Sequence, residues 1–146
     1  MDSILLDYAW SGSKLNEAIE VLSRKIGFIS KVSRDVPAPP QGLENQKPEL
    51  ISKWLDSASK SLGVESSPVE SGYADLRDMI ANIGPGLIRI PDRNIPKFLA
   101  IVKAGKNKVK VITPELKIRK VPIEWIRSKL CQNIETPLVS HISVLL

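Results

Sequence analysis

The feature that most constrains the fold of this chain is a change in its hydrophobic period near Pro85. Before this proline, apolar residues recur every three or four positions, which is typical of helices with one buried face. Beyond it, short β-branched runs lie between Pro, Gly and Asn, as strands do. Helices therefore precede strands instead of alternating with them. This order predicts an α+β fold, with N-terminal helices packed on a C-terminal antiparallel sheet.

Three helices are predicted in the first part of the chain. They cover residues 14–26, 48–62 and 71–83, and a glycine follows each of them closely. Ser13 is placed to cap the first helix, since serine side chains accept hydrogen bonds from free amides at helix starts. The segment 36–42 is rich in proline, which removes backbone donors, so it predicts a surface loop.

The second part is predicted to be mostly strand. Strands are expected at 87–90, 98–103, 108–113 and 117–121, then a brief helix at 122–130 and a closing strand at 138–146. A tight turn at 104–107 joins the second and third of these strands. With 146 residues the chain suits one domain, 1–146, with a helical part at 1–85 and a sheet part at 86–146.

Composition excludes several classes of protein. The single Cys131 cannot form an intramolecular disulfide, and with one histidine, His141, it provides too few ligands for a structural zinc site, so neither a metal nor another cofactor is expected. No apolar run reaches the length of a membrane span, and no signal peptide is recognisable, so this segment is expected to be soluble and cytosolic. The chain stops within the apolar run Val144-Leu-Leu146, which predicts that it continues in a longer protein.

Catalytic motifs that can be recognised by spacing are absent. The sequence contains no Gly-rich phosphate loop, no zinc-protease motif and no Gly-x-Ser-x-Gly elbow. Cys131 paired with His141 lacks a third group to orient the imidazole. We therefore interpret Cys131 as an inward-facing residue at the end of a short helix, and His141 as a rim residue of the last strand.

Positive charge is concentrated in one segment. Residues 86–129 contain 12 Lys or Arg residues and three acidic ones, whereas the whole chain has a net charge of +5. Such a cluster invites a nucleic-acid interpretation. Its aromatic residues, Phe98 and Trp125, follow buried patterns, and stacking on bases needs exposed rings. Four lysines around the 104–107 turn are interpreted first as a solvated sheet edge; they are Lys103, Lys106, Lys108 and Lys110.

Several segments together resemble a peptidase family. They are Trp10-Ser-Gly12, Lys60-Ser-Leu-Gly-Val64, Gly84-Pro-Gly-Leu-Ile-Arg-Ile90, Lys97-Phe-Leu-Ala-Ile-Val102, Val109-Lys-Val-Ile-Thr-Pro114 and Val121-Pro-Ile-Glu-Trp-Ile126. Their order and spacing resemble the C39 peptidase domain at the N-terminus of bacteriocin-exporting ABC transporters. The resemblance implies a papain-like fold over most of the chain.

The resemblance also implies positions for the catalytic residues. Ser11 stands where the family has its nucleophilic cysteine, Lys97 where it has the general-base histidine, and Thr113 where it has the orienting aspartate. All three identities differ, which predicts a pseudoenzyme with no catalytic residues. Trp10, Ser11, Lys97 and Thr113 become candidates for contact with substrate.

The function implied is that of a non-proteolytic domain which engages an exported peptide or protein, or regulates its transporter. Its partners would be this cargo and the transmembrane and nucleotide-binding domains of an ABC transporter, at the cytoplasmic side of the inner membrane. Specific nucleic acid is not expected. The alternatives are a small basic nucleic-acid-binding module, a peptidase using Ser11 and Lys97, and a structural interaction domain.

Overall fold

The computed structural model describes residues 2–25, 38–68, 76–90, 96–131 and 139–144. Its helices are α1 (Asp2–Tyr8), α2 (Leu15–Lys25), α3 (Pro48–Ser61), α4 (Leu76–Asn82) and α5 (Ile123–Cys131). Its strands are β1 (Trp10–Ser11), β2 (Val64–Pro68), β3 (Gly86–Ile90), β4 (Lys97–Ala104), β5 (Lys108–Ile112), β6 (Ile118–Pro122) and β7 (Val139–Val144). Two short 3-10 turns, Gly12–Lys14 and Leu43–Asn45, precede α2 and α3.

The described strands form one antiparallel sheet in the order β2-β7-β3-β4-β5-β6. Strand β3 pairs with one edge of β4. The other edge of β4 is shared, because β5 pairs with it from Ala100 onward and β1 pairs with its first two residues, Lys97 and Phe98. Strands β1 and β5 therefore lie one after the other along the same edge of β4.

Strand β4 is the centre of the core. Phe98 and Ala100 belong to one apolar cluster, with residues of α2 and α3, whereas Leu99 and Ile101 belong to another, with residues of α1, α4 and α5. All four side chains are buried. An uninterrupted apolar run is what a strand covered on both faces requires. Helices thus pack on both faces of the sheet.

The predicted α+β fold with an antiparallel sheet is confirmed. Helices α2 and α3 and strands β3 to β6 match their predicted ranges within about two residues. Parts of four predictions, namely residue 26, residues 36–37, residues 71–75 and the end positions 138, 145 and 146, lie outside the described residues. Within the described ranges, no helix is both long and apolar enough to cross a bilayer.

The part predicted to be helical, 1–85, also contains strands. Strand β2 lies within it and pairs with β7, from Val64 opposite Val144 to Pro68 opposite Ser140. Its sequence, Val-Glu-Ser-Ser-Pro, has little β-propensity of its own. The strand forms through pairing with a segment far away in the sequence. A two-residue strand, β1, and helix α1 were also absent from the sequence-based expectation.

The prediction that Ser13 caps helix α2 is wrong. The chain enters α2 through the 3-10 turn Gly12–Lys14, whose N-cap residue is Ser11 with extended backbone angles. Ser13 lies inside that turn, with its Oγ 3.1 Å from Oγ of Ser11. The tighter turn moves the helix entrance two residues toward the N-terminus, next to strand β1.

One side chain joins the two strands that share the edge of β4. The indole Nε1 of Trp10, in β1, donates a buried hydrogen bond of 2.9 Å to the carbonyl oxygen of Ile112, the last residue of β5. Trp10 is only 3% exposed and packs in the cluster of α2 and α3. The bond therefore fixes the N-terminal segment to a strand about a hundred residues away in the sequence.

We predict that Trp10→Phe lowers the free energy of unfolding by about 2 kcal/mol, because it leaves a buried carbonyl without its donor. Trp54→Phe in α3 is the matched control, since Trp54 is only partly buried in the same cluster and makes no indole hydrogen bond among the described residues. Urea denaturation of both variants measures the difference. Equal losses would mean that ring volume, not the bond to Ile112, provides the stabilisation.

A second prediction concerns two buried helical serines. Ser23 in α2 donates a 2.8 Å hydrogen bond to the carbonyl of Ile19, whereas the hydroxyl of Ser59 in α3 is buried without a partner in the described structure. Ser59→Ala should raise the free energy of unfolding by about 1 kcal/mol by removing a desolvated hydroxyl. Ser23→Ala has the same gain in helix propensity but loses a satisfied bond. A larger gain in Ser23→Ala than in Ser59→Ala would contradict the prediction.

Candidate functional site

The structure places Ser11 directly opposite Lys97. These two residues are Cα partners in the antiparallel pair of β1 and β4, next to the pair formed by Trp10 and Phe98. Directly opposed residues on such a pair point to the same face, with Cβ atoms about 5 Å apart. Because Trp10 and Phe98 point into the core of α2 and α3, alternation turns Ser11 and Lys97 to the other face.

Ser11 lies at the point where strand becomes helix. It is half-buried, and its backbone angles, φ −71° and ψ 152°, end the strand before the turn at Gly12. At Gly12 any larger residue would collide, because a Cβ atom there would lie 2.5 Å from Cβ of Glu44. The turn that contains Glu44 is itself held by a 2.8 Å hydrogen bond from Arg89, in β3, to the Glu44 carbonyl. Close packing of the two 3-10 turns thus fixes the backbone beside Ser11.

Thr113 lies at the same end of the sheet but has a structural role. It follows Ile112, the Cα partner of Ala100, so it is close to the start of β4. Its side chain is 3% exposed. Its Oγ1 accepts a 3.2 Å hydrogen bond from the Lys117 amide, and its own amide donates to the Lys117 carbonyl at 2.9 Å. Thr113 therefore closes the turn between β5 and β6.

The four candidate contact residues differ in their exposure to solvent. Ser11 and Lys97 are half-buried. Trp10 and Thr113 are buried, and the polar groups of both are hydrogen-bonded inside the domain. Core packing thus covers Trp10 and Thr113, and their role as substrate contacts stays a prediction. Both position the residues next to them, which leaves Ser11 and Lys97 as the accessible pair.

Cys131 and His141 do not form a catalytic pair in this structure. Cys131, at the end of α5, is exposed, so the prediction that it faces inward is wrong. The helix ends at this residue, so helical periodicity no longer determines its direction. His141 is half-buried on β7, and its Nδ1 is hydrogen-bonded to the Ile83 carbonyl. This hydrogen bond holds the imidazole against Ile83, the residue that follows α4.

An ionic cluster that sequence reasoning missed holds the hairpin of β4 and β5. Arg77 in α4 contacts Glu124 in α5 and donates a 2.9 Å hydrogen bond to Asn107 in the hairpin turn. Glu124 also accepts a hydrogen bond from Arg127 at 3.0 Å. Hydrogen bonds from Arg127 and then Arg77 lower the pKa of Glu124 below its ordinary value. Only the contact between Glu124 and Arg127, three residues apart on one helix, could have been recognised from spacing.

The two aromatic side chains of the basic segment both pack against the apolar core. Phe98 is fully buried, and Trp125 is half-buried against the cluster of α4 and α5. Among the described residues of this segment, therefore, no ring is free to stack on a base, as binding of single strands requires. The nucleic-acid alternative stays a prediction, carried by charge alone.

Comparison with known proteins supports the fold. The chain is similar to the crystal structure of the peptidase domain of Streptococcus ComA, described as a bi-functional ABC transporter involved in a quorum-sensing pathway. The TM-score is 0.58 with 14% sequence identity, over 94% of this chain and 99% of that domain. No protein-family model and no curated protein sequence matches the chain. The chain therefore has the fold of an ABC-transporter peptidase domain, as the papain-like prediction required.

Proposed function

We propose that this chain is a peptidase-like domain of an ABC exporter that binds the exported peptide without cleaving it. The observation that carries the proposal is the direct cross-strand pairing of Ser11 with Lys97. In the peptidase family that the sequence resembles, these two positions hold the nucleophile and its base. The similarity in fold to the ComA peptidase domain supports a peptidase-like domain.

The residue types favour binding over hydrolysis. A serine becomes a nucleophile only when a neighbouring base removes its proton. A lysine acts as that base only when its ammonium group is desolvated, and Lys97 is half-buried at the first position of β4, not enclosed in the core. The buried Thr113 hydroxyl, already bonded within its turn, takes no part in orienting a base. No cofactor is needed for this function.

A peptide would bind at the start of β4, beyond the last pair that this strand forms with β1. Strand β1 ends at Ser11, opposite Lys97, the first residue of β4. The ammonium of Lys97 can pair there with a carboxylate of the peptide, and the Ser11 hydroxyl can donate or accept a hydrogen bond. The transmembrane and nucleotide-binding domains of the exporter would be the other partners of the domain.

Binding and cleavage of leader peptides encoded beside the gene would test the proposal. We predict that Lys97→Met weakens peptide binding about tenfold, measured by fluorescence anisotropy, because one charged contact of about 1.4 kcal/mol is lost. Lys53→Met, at an exposed position on α3, removes the same charge elsewhere and should leave the affinity unchanged. Mass spectrometry should detect no cleavage.

Two results would contradict the proposal. Equal affinities of wild type and Lys97→Met would show that the Ser11–Lys97 end of the sheet is not the binding site. Cleavage that disappears in Ser11→Ala would establish a serine peptidase, the alternative that uses Lys97 as base.

A further inference from the structure

Three lysines form a row across three neighbouring strands. Lys103 on β4 is the Cα partner of Lys110 on β5, and Lys110 is the Cα partner of Lys120 on β6. Lys108 lies two residues before Lys110 and therefore on the same face of β5. All four side chains are exposed. We refer to Lys103, Lys108, Lys110 and Lys120 as the lysine face.

This arrangement opposes the stability of the sheet. Like charges directly opposite each other on an antiparallel pair repel and destabilise it. Among the described residues, the ion pairs involve Lys14, Arg24, Lys60, Arg77 and Arg127, and none includes a lysine of the lysine face. In the described part of the chain, the lysine face therefore has four neighbouring ammonium groups and no ion pair with a carboxylate. A bound anionic partner would attract the four ammonium groups and so offset their mutual repulsion.

The lysine face is concave and held in place. Together with Lys106 and the hairpin turn, its lysines line a shallow cavity of about 390 Å³ that includes no acidic residue. The turn is fixed by the hydrogen bond from Arg77 to Asn107, and by a 2.9 Å bond from the Ile123 amide to the Asn107 carbonyl. The turn and strands that carry these lysines are therefore fixed before any ligand binds.

Exposed aliphatic residues adjoin the lysines. Ile118, 40% exposed, lies on the same face of β6 as Lys120, and Leu116, 61% exposed, lies in the preceding turn. Leu116 has a φ of 64°, a left-handed conformation that leucine rarely adopts. The left-handed residue completes the β5–β6 turn, in which the Leu116 amide donates to the Thr113 carbonyl. The turn thus presents a leucine to solvent at the end of the lysine face.

The combination identifies the class of partner. Lysines with exposed aliphatic residues suit an anionic lipid surface, where ammonium groups meet headgroup phosphates and apolar side chains enter the interface. Among the residues lining the cavity there is neither an arginine for bidentate phosphate contacts nor an aromatic ring for bases. We propose that the lysine face docks the domain on an anionic membrane surface, with Leu116 and Ile118 at the boundary with the acyl chains.

Co-sedimentation with lipid vesicles would test this docking. Wild-type protein should bind vesicles of phosphatidylcholine with phosphatidylglycerol, and not vesicles of phosphatidylcholine alone. A variant with Lys103→Gln, Lys108→Gln, Lys110→Gln and Lys120→Gln should bind the anionic vesicles at least about 100-fold more weakly, since each lysine near such a surface contributes roughly fivefold. The matched control changes four other exposed lysines to Gln. They are Lys25 in α2, Lys53 and Lys60 in α3, and Lys47, which directly precedes α3. It should bind within about threefold of the wild type.

Leu116→Gly separates docking from folding. Glycine adopts the left-handed conformation without strain, so this variant should have a higher Tm than the wild type. It should nevertheless bind anionic vesicles several-fold more weakly, because one apolar contact with the interface is lost.

Three results would overturn the proposal: equal loss of binding in both four-lysine variants, undiminished vesicle binding by the lysine-face variant, or no vesicle binding by the wild type. In the last case, binding of a single-stranded oligonucleotide or a polyglutamate peptide would assign the face to that class of partner instead. The variants leave Ser11 and Lys97 unchanged, so failure here does not affect the peptide-binding proposal.

Discussion

The surroundings of strand β4 determine what the rest of the structure can do. Side chains of β4 are buried on both faces of the sheet, between α2 and α3 on one side and α1, α4 and α5 on the other. Its edges pair with β3 on one side and with β5 and β1 on the other. Only the ends of the strand reach solvent. Lys97 begins it and Lys103 lies near its end, about 20 Å away at the rise of a β-strand. Lys97 and Lys103 are therefore held at opposite ends of β4, whereas Leu116 lies in the β5–β6 turn, at the same end of the sheet as Thr113.

Sequence periodicity was sufficient for the elements whose burial is regular. Helices α2 and α3 each bury one face and end beside glycines, and the apolar run of β4 is recognisable because both of its faces are covered. Strands β1 and β2 could not be predicted in this way. The first is two residues long, and the second is mainly polar and forms only through pairing with β7. Pairing between distant segments leaves no periodic signal in either of them.

For the candidate sites too, the sequence indicated the residues but not the contacts that strand pairing forms between them. Four lysines around one turn were evident in the sequence, but their arrangement across strands was not. A register shift in β4 between Ile101 and Lys103 brings Lys103 opposite Lys110, whereas regular pairing would place it opposite Val109. Likewise, Ser11 and Lys97 were matched through a family resemblance, but only strand pairing makes them direct neighbours. The burial of Trp10 and Thr113 results from packing among β1, β5 and the β5–β6 turn, which spacing does not reveal.

Several residues have arrangements that lower the stability of the fold. Whether each of them is buried or exposed decides whether a binding partner could compensate for it. The Ser59 hydroxyl is unpaired inside the core, where no ligand can reach it, so it is a simple loss of stability. The opposed lysines and the left-handed Leu116 are unfavourable at exposed positions, where a partner can compensate for them. At the start of β4, Ser11 and Lys97 remain accessible while Trp10 and Thr113 hold the backbone beside them. A peptidase-like fold arranged in this way keeps the accurate backbone positioning that recognition needs. Under the proposed function, the residue types at positions 11 and 97 suit a hydrogen bond and an ion pair with a bound peptide.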